Sequence, residues 1–279
     1  MYRVKSNLHP YFRNGDKMKT LFCTADVHSF YDELQEALVK AGFDIENEDH
    51  IFVHCGDLLD RGPDALKCLQ FVNNLPENRK ILIRGNHEDL LEDVFARGWF
   101  GAHDVHNCTT DTVQQLSQIP LRDMLENELT LFAALDRVKN HTEWVNYSKC
   151  LKDYVEVGSY VFVHGWIPFM GYDPIEDWKS GDWRDARWQN GMKLWNSGYK
   201  LEDRCIVCGH IHSSWGHSRL HNYGVEFDEE YYEDASEDYR AHFEPFIDNG
   251  IICLDACTAF SGFVNCYKIE VEDEDLNVN

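Results

Sequence analysis

The stretch Ile51-Phe-Val-His-Cys-Gly-Asp-Leu-Leu-Asp-Arg-Gly62 constrains the fold more than any other part of the chain. Ile51 to Cys55 is a short apolar run that stops at Gly56, as expected for a central strand of a parallel sheet. The chain then delivers Asp57, Asp60 and Arg61 within five positions, where a structural turn needs one Asp or Asn at most. Carboxylates that close repel one another unless a cation is held between them.

The same strand–loop–helix order recurs on both sides of this stretch. Thr20 to Thr24 reads as a strand, followed by the loop Ala25 to Ser29. Tyr31 to Gly42 has helical spacing, with Leu34, Leu38 and Val39 on one face and Gly42 as a stop. Pro63 opens a second helix that carries Ala65, Leu66, Leu69 and Val72 inward. Lys80 to Arg84 is a third strand, ending in the loop Gly85-Asn86-His87-Glu88, and Leu90, Leu91, Val94 and Phe95 suit a helix after it. The alternation predicts βαβ units and a mainly parallel sheet. From Asp111 to about Tyr154 glycine is absent and apolar residues recur at helical spacings, which predicts a helical insertion that caps or flanks the core. Tyr160 to Val163 and Cys205 to Cys208 are further strands, and Gly250 to Asp255 and Gly262 to Glu270 are two closing ones. No internal repeat or linker interrupts the chain, so residues 1–279 are expected to form one domain.

The formal net charge is −23, and much of it is local. Glu226 to Asp238 holds eight acidic residues in thirteen, within an expected acidic loop over 226–248, and Glu270 to Asp275 holds five in six. A negative field disfavours stable nucleic-acid binding, yet two bound divalent cations would invert it locally for a small phosphorylated substrate. No apolar run approaches the roughly 20 residues that span a bilayer. Met1 to Lys19 lacks the apolar core of a signal peptide, so a cytoplasmic protein without a membrane partner is expected. The ten cysteines are then read as core thiols, because the Cys205–Cys208 pair lies within a strand and no second such pair exists to complete a zinc site.

Five predicted strands end in loops that carry metal-competent side chains: Asp26 and His28; Asp57 and Asp60; Asn86 and His87; His164; His210 and His212. Loops at the carboxyl ends of strands in an α/β sheet converge on one side. Their mixture of carboxylate, carboxamide and imidazole suits Mn²⁺, Fe or Zn²⁺ better than Ca²⁺, and Mn²⁺ is the first choice.

In order along the chain, Asp26-Val27-His28, Gly56-Asp57-Leu58-Leu59-Asp60-Arg61-Gly62, Gly85-Asn86-His87-Glu88, His164 and Gly209-His210-Ile211-His212 resemble the motifs of calcineurin-like metallophosphoesterases. The second and third of these are similar to the phosphoprotein phosphatase branch of bacterial and phage type. The resemblance implies a four-layer α/β/β/α sandwich and two divalent metal ions. It implies that Asp26, His28 and His212 serve the first metal, that Asp57 bridges, and that Asn86, His164 and His210 serve the second. By the same resemblance His87 donates a proton to the leaving group, Asp60 holds His87, and Arg61 binds phosphate. A second phosphate-binding arginine is expected upstream of His210, either Arg187, favoured by spacing, or Arg184. The sequence departs from the family at Ala25 and Ser29, where glycines are usual, at Trp166 beside the His164 loop, and in lacking the carboxyl-terminal motif of eukaryotic protein phosphatases.

These roles have independent physical reasons. A carboxylate has two oxygens with which to bridge two cations, and two metals about 3.5–4 Å apart clamp both oxygens of an in-line displacement. An imidazole titrates near neutrality, and a guanidinium matches phosphate oxygens bidentately without losing its charge. Other residues are read as structural. His54 is expected to be a core histidine, Glu88 to favour the start of its helix, Asp255 to be structural, and the tryptophans of residues 178–195 to pack in the core or at its rim. The expected activity is hydrolysis of phosphomonoesters, including phosphoserine and phosphothreonine in proteins. A dinucleoside polyphosphate hydrolase is the close alternative, followed by a phosphodiesterase. A non-catalytic metal-binding scaffold is the alternative of another class.

Overall fold

The structure, a computed structural model, describes residues 18–170, 173–174, 177–228 and 240–276. Most of the acidic run lies outside the described residues.

Two five-stranded sheets form the centre. The first contains β1 (Met18–Thr24), β2 (His50–His54), β3 (Lys80–Ile83) and β4 (Leu151–Lys152). The second contains β5 (Val155–Val157) and β6 (Tyr160–Phe162), and after the small hairpin of β7 (Phe169–Met170) and β8 (Asp173–Pro174) it takes β9 (Cys205–Cys208), β10 (Phe246–Asp248) and β11 (Ile251–Cys253). The last strand, β12 (Tyr267–Glu272), returns to the first sheet. The strand orders are β12-β1-β2-β3-β4 and β10-β11-β9-β6-β5. Strands β1 to β4 run parallel, as do β6, β9 and β11, while β12, β10 and β5 pair antiparallel. Parallel neighbours place their carboxyl ends at one edge of each sheet, and that geometry gathers the loops after β1, β2, β3, β6 and β9.

Period-two alternation sets the layers. On β1 and β2, Leu21, Cys23, Ile51, Val53 and Cys55 pack with Phe162, Val207 and Ile252 in the layer between the sheets. Phe22 and Phe52, one residue out of phase, face the helices instead. A one-residue slip in register would exchange the two sets, so both cores fix the pairing. Removing a fully buried side chain of this size from water contributes about 1.5–3 kcal/mol.

The first sheet is covered by α1 (Tyr31–Ala41), α2 (Ala65–Asn74) and α3 (Asn86–Arg97), then by α4 (Ala102–His106), α5 (Thr109–Ser117), α6 (Leu121–Glu126), α7 (Glu128–Lys139) and α8 (Thr142–Cys150). The segment expected to be helical from Asp111 is therefore a run of helices beginning at Ala102. The second sheet is covered by the tryptophan-rich segment with α9 (Trp183–Ala186) and α10 (Gly191–Asn196), and by α11 (Ser214–Leu220). A short helix, α12 (Thr258–Ser261), precedes β12.

Several details differ from expectation. Val39 is 75% exposed, and the buried face of α1 is Leu34, Ala37 and Leu38. Five residues beyond Leu34, Val39 has rotated away from that face. The second helix begins at Ala65 and not at Pro63. The residues Asn86, His87 and Glu88 are the first turn of α3 and not a loop before it. Strand β12 begins at Tyr267, because Gly262 ends α12 in a left-handed conformation. All ten cysteines are free thiols.

Candidate metal and phosphate site

The loops after β1 and β2 are locked together by main-chain hydrogen bonds. Asp26 N donates to Gly56 O at 3.0 Å, His28 N to Asp57 O at 3.0 Å and Ser29 N to Leu58 O at 2.7 Å. Six residues of the first two loops adopt left-handed φ: Asp26, His28, Ser29, Asp57, Asp60 and Arg61. His210 does the same. L-residues visit this region rarely and at a cost, and such strain concentrates at functional sites.

Glycines permit the close approach of the layers. A Cβ on Gly85 would lie 2.0 Å from Asp57 Oδ1, and one on Gly209 would lie 2.0 Å from Asp26 Oδ2. Asp57 Oδ1 accepts from the His87 amide at 3.0 Å, which leaves Oδ2 facing the cleft. Three imidazoles aim Nε2 at that oxygen: His164 at 3.3 Å, His87 at 3.8 Å and His28 at 3.9 Å. Each is held by its other nitrogen, with Nδ1 of His164 against Cys55 O at 2.7 Å, Nδ1 of His28 against Leu59 O at 2.9 Å and Nδ1 of His87 against Asp60 Oδ2 at 2.7 Å. Because those partners are oxygens that accept, Nδ1 carries a proton in each ring; Nε2 of His28 and His164 then turns a lone pair inward, and Nε2 of His87 faces the same cleft.

The donors fall into two groups around Asp57 that could each hold a metal ion: His28, Asp57 and His87; and Asp57, His164 and His210. Asn86 adds Oδ1 at 2.7 Å from His164 Nε2. A neutral His164 would thus present a lone pair to two oxygens, an arrangement that needs a proton or a cation between the acceptors. The residues present fit metal ions on this ground, and the outer hydrogen bonds on each imidazole are those that orient metal ligands.

Electrostatics agree. Burial works against charge on Asp57, but His164, His87 and His28 outweigh it and hold the carboxyl well below the usual carboxylate range. Burial likewise opposes a charged His87 or His164, and nearby Asp57 overcomes it, so both imidazoles titrate above their ordinary value. Burial, then His87 and Arg61, push His28 down, and burial takes His210 to about 3. Asp26 is raised by burial and by the carboxylates of Asp255 and Asp57.

Not every expected residue is brought into the two groups. Asp26 is buried beside them, with both oxygens accepting from the His210 amide at 3.0 and 3.1 Å. His212 stands apart, bonded through Nδ1 to Ser214 Oγ at 2.8 Å and packed on Phe227 and Phe243. Arg61 is exposed and near enough to His28 and His87 to act on both. Arg187 is buried and ion-paired with Asp89 at 2.7 Å and with Asp153, and Arg184 pairs with Asp93. His54 is fully buried, with Thr24 Oγ1 at 3.0 Å from Nδ1. Asp255 is buried and caps its own loop, accepting from Cys257 N at 2.7 Å. Trp178, Trp183 and Trp195 are core residues, whereas Trp188 lies at the rim beside His210.

Sequence reasoning missed the residues that brace the site. Glu88 accepts from three amides, Gly85 at 2.7 Å, Leu58 at 3.0 Å and Asp57 at 3.1 Å, and from Tyr147 Oη at 3.0 Å. It completes a capping box and also staples two loops together. Thr109 and Thr112 of α5 donate to Asp60. Their one sequence signal is a cluster of threonines, poor helix formers, opening a helix.

Several known proteins are similar to this chain. The chain is 36% identical over 108 residues to the symmetrical bis(5′-nucleosyl)-tetraphosphatase of Proteus mirabilis, covering 39% of this chain and 36% of that protein. It is 43% identical over 100 residues to the enzyme of the same name from Aeromonas hydrophila, covering 36% and 33%. The alignments thus span about a third of the length of these relatives. A cold-active protein-tyrosine phosphatase from a psychrophilic Shewanella shares the fold, with a TM-score of 0.50 and 16% identity over 94% of this chain and 80% of that one. The calcineurin-like phosphoesterase family model matches residues 19–243, so the chain belongs to the calcineurin-like phosphoesterase family.

Proposed function

We propose that this protein is a metal-dependent hydrolase of dinucleoside polyphosphates. The observation that carries the chemistry is the convergence of three Nε2 atoms on Asp57 Oδ2, with an exposed Arg61 near enough to act on His28 and His87. The names of the two curated relatives support placing polyphosphates ahead of the phosphomonoesters that the phosphatase-like motifs suggest. Asp57 would be shared by two divalent ions, Mn²⁺ first among the candidates, with Asn86, His164 and His210 serving one and His28 and Asp26 the other. Bound there, such ions supply positive charge to phosphoryl oxygens and lower the pKa of a water.

The remaining steps belong to the chain itself. Arg61 binds and orients the phosphoryl group, since its guanidinium has no ion-pair partner among the described residues. His87, fixed by Asp60, donates a proton from Nε2 to the leaving oxygen. Arg187 would have to leave Asp89 and Asp153 to reach phosphate, so Arg61 is the first assignment and Arg187 the second. His212 serves the first metal only if it leaves Ser214.

The test strips the metal, restores Mn²⁺, and compares a dinucleoside tetraphosphate with a chromogenic phosphomonoester and a phosphodiester. The expected result is the highest kcat/KM on the tetraphosphate. Preference for the monoester would move the activity to a phosphatase, with phosphopeptides tested next. No turnover of any substrate by metal-loaded protein would leave the metal-binding scaffold.

A further inference from the structure

Helix α5 lies between the third and fourth strands, and its threonines belong to none of the motifs that carry the family resemblance. Yet its first turn reaches the catalytic loop. Thr112 Oγ1 accepts from the Asp60 amide at 3.0 Å and donates to Asp60 Oδ1 at 2.5 Å. Thr109 Oγ1 donates to Asp60 Oδ2 at 2.9 Å, the oxygen that also meets His87 Nδ1 at 2.7 Å. All three residues are at most 1% exposed.

The directions of these bonds are fixed by chemistry. An amide can only donate, so the hydroxyl proton of Thr112 is free for Oδ1 alone. Both oxygens of Asp60 therefore accept from threonine, and the His87 contact is completed by a proton on Nδ1. That leaves Nε2 as the nitrogen that faces the cleft. Asp60 is also held in its left-handed backbone conformation, φ 73, by the Thr112 bond to its amide. Threonine hydroxyls at a helix start ordinarily bond their own main chain. Here both are turned onto another element, in a site closed to water, where an unmade bond has no substitute.

We propose that Thr109 and Thr112 are positioning residues for proton donation, fixing Asp60 so that it keeps the Nδ1 proton and one orientation of His87, whose Nε2 carries the second proton, the one that is donated to the leaving oxygen. This rests on the reading of His87 as the proton donor.

The test uses full-length, Mn²⁺-loaded protein and two phosphomonoesters, one with a nitrophenol and one with an alkyl alcohol as leaving group. His87→Asn, Thr112→Val, Thr109→Val and Thr112→Ser are compared, with metal content measured for each. The valine variants are expected to keep both metals and an unchanged KM. They should lose about tenfold in kcat on the alkyl ester, a part of the ~10²–10⁴-fold that a general acid contributes, and under about twofold on the nitrophenyl ester. Thr112→Ser should restore the alkyl-ester rate, because it keeps the hydroxyl and deletes only a methyl group. In proton NMR of the same variants loaded with diamagnetic Zn²⁺, the downfield His87 Nδ1–H signal should broaden in the valine variants and return in Thr112→Ser. Equal losses on both esters, or a serine variant as impaired as valine, would overturn the inference while a leaving-group effect in His87→Asn kept the reading of His87. If His87→Asn itself slows both esters equally, the reading fails and the inference falls with it.

Discussion

The two covers of the sandwich reach the same site by different means. The cover of the first sheet, α4 to α8, sends side-chain hydroxyls inward: Thr109 and Thr112 to Asp60, and Tyr147 to Glu88. The cover of the second sheet meets the site through packing and main chain. Trp166, Trp178, Trp183 and Trp195 fill its core, Trp188 packs edge-on against the His210 ring, and Ala186 O of α9 accepts from the Trp166 amide at 3.0 Å. Around His87, the proposed proton donor, the support consists of directional bonds that only certain side chains make. Where imidazoles are simply held, shape and backbone suffice. Arg187 is the exception on the second cover, since it reaches across to Asp89 on α3.

That exception gives the largest expected effect. Arg187→Ala leaves Asp89 buried without its strongest partner, and breaking such a pair costs about 3–5 kcal/mol. Urea unfolding should show this loss, and Asp89→Asn added to it should recover most of it. An unchanged midpoint with a raised KM would instead make Arg187 a phosphate ligand and erase the contrast between the covers. The next effect sharpens the contrast on the first side. Tyr147→Phe removes one of four donors to Glu88 and should cost about 1–3 kcal/mol, read as a lower Tm. A variant as stable as the parent would mean that α8 covers the site without bracing it. The smallest effect has the opposite sign. Ser29 is fully buried at φ 62 with a hydroxyl that has no hydrogen-bond partner among the described residues, at a position where the family usually has glycine. Ser29→Gly relieves the left-handed strain and should raise stability by about 1 kcal/mol. Destabilisation would show that Ser29 Oγ has a function that the packing does not reveal.

Much of the site was legible because its chemistry is local. Asp57, Asp60 and Arg61 share one turn, Asn86 and His87 share another, and the strand–loop–helix order put both at the carboxyl ends of strands. The braces were illegible for the same reason. Thr112 is 52 positions from Asp60 and Tyr147 is 59 from Glu88, and nothing in a threonine or tyrosine announces a distant carboxylate. Glu88 shows the limit within a single residue: its place near a helix start was visible, but its bonds to Asp57 and Leu58 depended on a neighbouring loop.

The sequence by itself determined the alternation of strands and helices and the short motifs that carry the family resemblance. Each of these follows from periodicity or from residues close in the chain. Only the tertiary structure decided that Asp57 Oδ2 is the shared focus, that Arg187 is committed to carboxylates while Arg61 has no ion-pair partner among the described residues, and that His212 stands outside both donor groups. Those outcomes depend on hydrogen bonds and ion pairs between segments far apart in sequence, and the partners are chosen only when the two sheets close on one another.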